Sequence, residues 1–152
     1  MWGAMTPEEE QTIRHSMAEY IQRWITIPGK WGGDDFSGLD CSGIIHEVFQ
    51  AYGLEKRGFD CTANDLFERL YPNVTYGMPR IGDLVFWFHN HQAIHVEMVV
   101  EIINDRIFTC GASGVRSATK TREDAILHNA YIKRNEIHYR TEDYKIVNPF
   151  KE

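Results

Sequence analysis

The sequence has few cysteines, no long hydrophobic run and no excess of positive charge. Three cysteines in 152 residues are too few, and odd in number, for a disulfide framework, which indicates a reduced protein made in the cytoplasm. No apolar stretch approaches the roughly 20 residues that span a bilayer, so we expect no membrane helix. A formal net charge of -6 at pH 7 argues against a nucleic-acid partner, because phosphate binding needs a cationic surface.

The first ten residues lack the basic stretch and the apolar core of a secretory signal peptide, so we expect none. What the chain does contain is typical of a folded protein, since 43% of its residues are hydrophobic and 12% are aromatic. The length fits one domain with a packed core. We therefore predict a single domain over residues 1–152.

Hydrophobic periodicity predicts helices first and strands later. Apolar residues recur at helical spacing in segments that begin with capping residues and end at proline or glycine. These predicted helices cover residues 6–28, 40–52 and 62–70. Branched and aromatic residues predict strands at 83–88, 95–100 and 106–110, with a hairpin turn at Asn104-Asp105. A short helix at 121–127 and strands at 130–133 and 136–139 complete an α+β domain with an antiparallel sheet.

Cys41 is the candidate nucleophile because of its position. It lies in the first turn of the second predicted helix, with Asp40 as the expected cap. The backbone N–H groups and the positive end of the helix dipole both favour a thiolate there. The alternative is a structural cysteine, since free cysteines are commonly just buried.

Two sequence blocks carry a family resemblance. The first reads W-G-G at 31–33, D-C-S-G at 40–43 and then an apolar helix that closes at Gly53. The second reads P-R-I-G-D-L-V-F at 79–86 and is followed by I-H-V at 94–96. In this order the blocks resemble the NlpC family of papain-like cell-wall cysteine peptidases, over about residues 17–113.

The resemblance implies a papain-like α+β fold in which N-terminal helices pack on an antiparallel sheet and the nucleophile lies at a helix N-terminus. It also implies hydrolysis of peptide bonds in bacterial cell-wall stem peptides, through a thioester on Cys41 and without a cofactor or metal. His95 then acts as the base. Asp40 and Ser42 match positions that contact the substrate, and Trp31 forms a wall of the site.

The third catalytic residue is where the sequence departs from the family. The family usually places a polar residue, often histidine, on the strand after the base, where this chain reads R-I-F-T-C-G-A-S at 106–113. Two alignments place either Thr109 or Gly111 there. Glu97 is another candidate, because it lies two residues after His95 and residues two apart on a strand share a face. We prefer Thr109 by a small margin over Glu97, and a catalytic pair without a third residue is a further alternative.

Other histidines and cysteines allow different interpretations. His89, His91, His95 and Glu97 form an H-x-H-x3-H-x-E pattern that would favour a zinc-dependent hydrolase, although the segment around His89 and His91 is expected to be a loop. We interpret His46 as a surface or packing residue. Cys61 and Cys110 are expected to be structural thiols that react more slowly than Cys41.

Two classes of function remain open from the sequence. The first is a peptidoglycan hydrolase of a phage, prophage or secreted effector, made without a signal peptide and acting at the cell wall. The second is a module of the same fold that binds wall peptides or a protein partner, with Cys41 a remnant of the nucleophile. The absent third polar residue keeps this second class open.

Overall fold

α-Helices precede an antiparallel sheet in the part of the chain that the computed structural model describes, namely residues 5–25, 34–35, 38–113, 123 and 131–150. The helices are α1 (Pro7–Gln22), α2 (Cys41–Ala51) and α3 (Ala63–Leu70). The strands are β1 (Asp34–Asp35), β2 (Gly38–Leu39), β3 (Val74–Thr75), β4 (Leu84–His89), β5 (Gln92–Ile103), β6 (Arg106–Ser113), β7 (Tyr131–Glu136) and β8 (Tyr144–Val147). The predicted α+β class is confirmed.

The main sheet has six strands in the order β3-β8-β4-β5-β6-β7, and every neighbouring pair is antiparallel. Two-residue turns connect β4 to β5 and β5 to β6. Asn104 and Asp105 have φ values of 47° and 66°, as the predicted hairpin requires. Asn90 and His91 form the other turn with φ values of 50° and 64°. β1 and β2 pair separately.

Side-chain caps fix where the helices begin. Thr6 and Glu9 form a reciprocal capping box at α1, Asp40 caps α2 and Thr62 caps α3. The first helix ends at Gln22, earlier than the predicted end near residue 28. The N–H groups of residues 23–25 donate hydrogen bonds to the carbonyl groups three residues before them, which tightens the chain into a turn.

Three predicted elements near the C-terminus have different outcomes. The predicted strand at 136–139 is wrong, because residues Ile137–Tyr139 form a 3₁₀ helix that the Glu136 side chain caps at the His138 N–H. A second 3₁₀ turn spans Tyr71–Asn73. The predicted helix at 121–127 lies outside the described residues except for position 123, as does residue 130 of the strand predicted at 130–133.

All three helices pack against β5, and their apolar faces share one hydrophobic core with that side of the sheet. A smaller apolar cluster on β4, β5 and β8 includes Val85, Trp87, Val99 and Ile146, and packs with Ile137. None of the described helices is both long and apolar enough to cross a bilayer.

A buried arginine ties α1 to the start of β4. Arg14 is 1% exposed and donates hydrogen bonds to Asp83 Oδ1 at 2.8 Å and to the Ile81 carbonyl at 3.0 Å. Its other guanidinium bonds go to Glu10 at 2.8 Å and to Asn148 at 2.6 Å. Gly82 has φ +92°, and a Cβ there would lie 3.1 Å from Arg14 Cγ. The G-D pair of the second sequence block therefore has a structural role.

Candidate active site

Cys41 is the first residue of α2, as predicted. Asp40 precedes it in an extended conformation and accepts a hydrogen bond from the Gly43 N–H at 2.6 Å. First-turn N–H groups have no partner inside their own helix, so they and the helix dipole stabilise negative charge near the Cys41 sulfur. The cap therefore fixes the sulfur at the positive end of the helix.

His95 lies on β5 and lines the same cavity as Cys41. The side chain is buried, and its ring packs against Trp87, which pairs with it across β4 and β5, at a centroid distance of 5.4 Å. Strand pairing and the indole ring thus hold the imidazole in place. The candidate base is on a rigid element, as the branched residues around it indicate.

Glu97, not Thr109, is the residue that contacts the imidazole. His95 Nε2 lies 2.6 Å from Glu97 Oε2. Thr109 on β6 donates its hydroxyl to Glu97 Oε1 at 2.8 Å. Both side chains are fully buried. Thr109, the preferred third residue, therefore contacts the Glu97 carboxylate instead of the imidazole. Glu97, the second candidate, contacts the His95 ring, because residues two apart on one strand share a face.

Gly111 makes room for this carboxylate. A Cβ atom at position 111 would lie 2.5 Å from Glu97 Cγ, closer than real side chains approach. Gly111 was one of the two positions that aligned with the family's third catalytic residue. β6, the strand after the base, thus leaves space at Gly111. The carboxylate that contacts His95 comes from β5, the strand that carries His95 itself.

Tyr139 is a member of the site that sequence reasoning missed. Its hydroxyl donates a hydrogen bond to Glu97 Oε2 and lies 3.3 Å from His95 Nε2. It belongs to the 3₁₀ helix after β7, 42 residues beyond Glu97, and no motif marks it. Burial beside the Glu97 carboxylate raises the pKa of the Tyr139 hydroxyl, so this group stays a donor at neutral pH.

The electrostatics of the site favour a protonated imidazole. Burial opposes the charge on His95, but hydrogen bonds to Cys41 and Glu97 and their negative charges outweigh it and raise the pKa of His95 to about 9. Because Nε2 faces Glu97 and Tyr139, Nδ1 is the ring nitrogen left for Cys41. The site can therefore hold a thiolate beside an imidazolium, the arrangement of an activated cysteine nucleophile.

The cavity beside these residues has a volume of about 630 Å³. Asp40 and Ser42, the predicted substrate contacts, both line it next to Cys41. Its remaining walls come from residues 60–63 and 65 and from Ala93, Ile94 and Ala112. Trp31, the predicted wall, lies outside the described residues.

The histidines of the H-x-H-x3-H-x-E pattern differ in their exposure to solvent. His89 and His91 are exposed at the β4–β5 turn, whereas His95 is buried against Glu97. Across the described ranges, no three His, Cys, Asp or Glu side chains gather as metal ligands would. This geometry does not favour zinc chemistry by the H-x-H-x3-H-x-E pattern.

The other two cysteines differ from each other. Cys110 is fully buried, burial raises its pKa, and its sulfur lies 3.8 Å from the Ile21 carbonyl oxygen, as a structural thiol should. Cys61 is partly exposed, lines the cavity and lies beside His46. His46 is buried rather than on the surface, because its ring nitrogens bond to Glu55 and Cys61.

Comparisons with known proteins show the family and the fold of the chain. The model of the NlpC/P60 family matches residues 27–148. Among solved structures, the NlpC/p60 domain of peptidoglycan hydrolase SagA aligns with a TM-score of 0.54 at 18% identity, over 89% of this chain and 98% of that one. An NlpC/P60 family protein from Bacillus cereus aligns with a TM-score of 0.62 at 16% identity, over 89% of this chain and 39% of its own.

NlpC2 from Trichomonas vaginalis aligns with a TM-score of 0.64 at 11% identity, over 90% of this chain and 46% of its own. The chain thus spans less than half the length of the last two proteins. At these identities the likenesses show a common fold. No curated protein sequence gives a significant match.

Proposed function

The chain belongs to the NlpC/P60 family, and from this membership we propose that it is a cysteine peptidase that cleaves peptide bonds in bacterial cell-wall stem peptides. The observation that carries the proposal is the series Cys41, His95 and Glu97, in which Cys41 and His95 line an open cavity and the buried Glu97 contacts the His95 ring. The substrate class is supported by the structural likeness to a domain of a peptidoglycan hydrolase. The protein would act at the cell wall.

The reaction begins with attack of the Cys41 thiolate on the carbonyl carbon of the scissile peptide bond. The carbonyl oxygen becomes an oxyanion, and the backbone N–H of Cys41 at the start of α2 is available to stabilise it. The sulfur–carbon bond of a tetrahedral intermediate forms in this step. The helix terminus thus serves both the nucleophile and the developing charge.

His95 then acts as the acid. Its Nδ1 donates a proton to the departing amine, which breaks the peptide bond and leaves a thioester on Cys41. The neutral ring next takes a proton from a water molecule, which hydrolyses the thioester and returns the thiol. Glu97 holds the ring by Nε2 in both steps, while Thr109 and Tyr139 hold Glu97.

Asp40 and Ser42 are proposed to contact the substrate. Both residues line the cavity on either side of Cys41. The Asp40 carboxylate also caps α2, so its position is fixed before substrate binds. A free amino group of a wall peptide would suit a carboxylate at this place, which makes Asp40 a determinant of specificity.

A wall-peptide binding module without catalysis is the alternative from the sequence. That alternative depended on the absence of a polar residue to orient the base. Because Glu97 contacts the ring at 2.6 Å, the arrangement supports catalysis instead.

Cleavage of purified peptidoglycan tests the proposal. We expect wild-type protein to release peptides, which mass spectrometry of the digested muropeptides assigns to one bond. Cys41→Ala and Cys41→Ser should abolish release while circular dichroism shows an intact fold. Cys110→Ala removes a thiol from the core and is the matched control. Full activity of Cys41→Ala, or binding of peptidoglycan without cleavage by the wild type, would refute a cysteine peptidase.

A further inference from the structure

A second cysteine and histidine pair lies beside the first. His46 is in the same helix as Cys41, and its Nε2 lies 3.4 Å from Cys61 Sγ. The opposite ring nitrogen, Nδ1, lies 2.7 Å from Glu55 Oε1. The order thiol, imidazole and carboxylate therefore occurs twice in the described part of the chain.

This second cluster opens into the same cavity. Cys61 lines the cavity together with Cys41 and His95, and its side chain is partly exposed. His46 is 3% exposed and Glu55 is nearly buried, so the imidazole and carboxylate are fixed behind the thiol. No step of the proposed hydrolysis uses these residues.

The surroundings of His46 make its ring a good proton acceptor. Burial opposes the charge on the ring, but hydrogen bonds to Cys61 and Glu55 and their negative charges outweigh it and raise the pKa of His46 to about 10. His46 Nε2 accepts a hydrogen bond from the Cys61 N–H at 3.2 Å and lies beside the Cys61 sulfur, so this nitrogen is placed to take the thiol proton as the sulfur reacts. Cys110 is buried, and its sulfur lies 3.8 Å from the Ile21 carbonyl oxygen instead of beside a histidine.

We propose that Cys61 is a modification site that reacts with low-molecular-weight disulfides through thiol–disulfide exchange. The Cys61 thiolate attacks one sulfur of the disulfide, a bond forms between the two sulfurs, and the other half departs as a thiolate. Cys61 is oxidised and the small disulfide is reduced, so electrons balance without another reagent. Excess thiol reverses the reaction.

The adduct would block the cavity. A group the size of a tripeptide on Cys61 occupies space that Cys41 and His95 also line. If the proposed peptidase function holds, modification of Cys61 therefore stops hydrolysis while Cys41 itself is unmodified. This consequence rests on the proposed function, whereas the reactivity of Cys61 does not.

The reactivity is measured without any hydrolysis. Cys41→Ala protein is treated with glutathione disulfide at neutral pH, and intact mass with peptide mapping follows the adduct. We expect one adduct, at Cys61. It should form about tenfold faster than in the double variant Cys41→Ala with His46→Gln, because thiolate fraction and access set the exchange rate. Glu55→Gln, which keeps the side-chain shape, should also slow it, and the remote Glu101→Gln should not. Equal rates with intact Glu55 and Glu55→Gln, or an adduct at Cys110 first, would overturn the proposal.

The effect on the cavity is measured by activity after brief exposure to glutathione disulfide. Each protein is compared with its own untreated sample, and dithiothreitol should restore the loss. We expect wild type to lose peptidoglycan cleavage faster than Cys61→Ser, in which only Cys41 can react. Equal loss in the two proteins would overturn the blocking effect. A wild type that cleaves nothing would refute the peptidase function alone, because the adduct at Cys61 is scored separately.

Discussion

Gly111 leaves the space that the side chain of Glu97 occupies. The two residues lie on adjacent strands, and a Cβ atom at position 111 would be 2.5 Å from Glu97 Cγ and 3.1 Å from Glu97 Cβ. The family that this chain belongs to usually carries a polar residue on the strand after the base. Here that strand supplies a glycine, and the carboxylate that orients His95 comes from β5. The carboxylate thus comes from β5 instead of β6, and the absence of a side chain at Gly111 on β6 leaves room for it.

Gly111→Ala should therefore reduce peptidoglycan cleavage. The new methyl group forces Glu97 to move, and a catalytic group displaced by about 1 Å costs as much as about 100-fold in rate. Steady-state cleavage of a muropeptide measures this loss. Gly77→Ala is the matched control, since a Cβ there has nothing within 4 Å, and it should leave the rate unchanged. A Gly111→Ala protein with full activity would mean that the position of Glu97 does not matter.

The local features of this site were predictable from sequence. Asp40 and Cys41 are neighbours, so cap, helix start and nucleophile follow from a few consecutive residues. The Asn104-Asp105 hairpin is equally local. These elements depend on backbone preferences that short sequence patterns reveal.

The contacts that complete the site were not predictable, because they join distant parts of the chain. Whether Thr109 or Glu97 contacts the ring depends on the register of β5 and β6 and on the space at Gly111. Tyr139 reaches the site from a 3₁₀ helix that replaced a predicted strand. The Cys61 contact needs a residue 15 positions from His46 to fold back, which no sequence spacing indicates.

The pH dependence of cleavage should report the charge on Glu97. Because the pKa of His95 is raised to about 9, the imidazolium persists through neutral pH and kcat/KM should decline only as pH rises through about 9. Glu97→Gln removes the anion that stabilises the charged ring. The decline should then begin at lower pH, and pH profiles of the two proteins measure the difference. Identical profiles would show that Glu97 does not act on the ring.

Tyr139→Phe should lower kcat with little change in KM. The hydroxyl bonds to Glu97 rather than to the cavity side of Cys41, so its loss loosens the carboxylate without removing a substrate contact. A hydrogen bond to a charged group contributes about 1.5–3 kcal/mol, so a reduced thermal midpoint should accompany the lower kcat. Tyr76→Phe, at a residue that is 94% exposed, is the control. A change confined to KM would contradict a positioning role for Tyr139.

Breaking the buried ion pair between Arg14 and Asp83 should destabilise the fold. Asp83→Asn leaves the Arg14 guanidinium, 1% exposed, with only the partly exposed Glu10 as its anion, so the loss should exceed about 1 kcal/mol and stay below the ~3–5 kcal/mol of a fully unpaired buried charge. Urea unfolding followed by fluorescence measures the change. Glu101→Gln removes one partner of a surface pair with Arg134 and should cost no more than about 1 kcal/mol. If both variants lost a similarly small free energy of unfolding, the Arg14–Asp83 ion pair would not be what holds α1 to the start of β4.

The last prediction separates His95 from the other histidines of the H-x-H-x3-H-x-E pattern. His95→Ala should reduce cleavage by about 100-fold or more, as loss of a general acid and base does. His89→Ala should change it little, since that ring is exposed at the end of β4. His91→Asn is the right variant at the turn, because asparagine tolerates the φ of 64° there, and it should also be neutral. EDTA should leave the rate intact while alkylation of thiols removes it. If EDTA inactivates the protein and zinc restores it, the metal-dependent interpretation is correct and Cys41 is not the nucleophile.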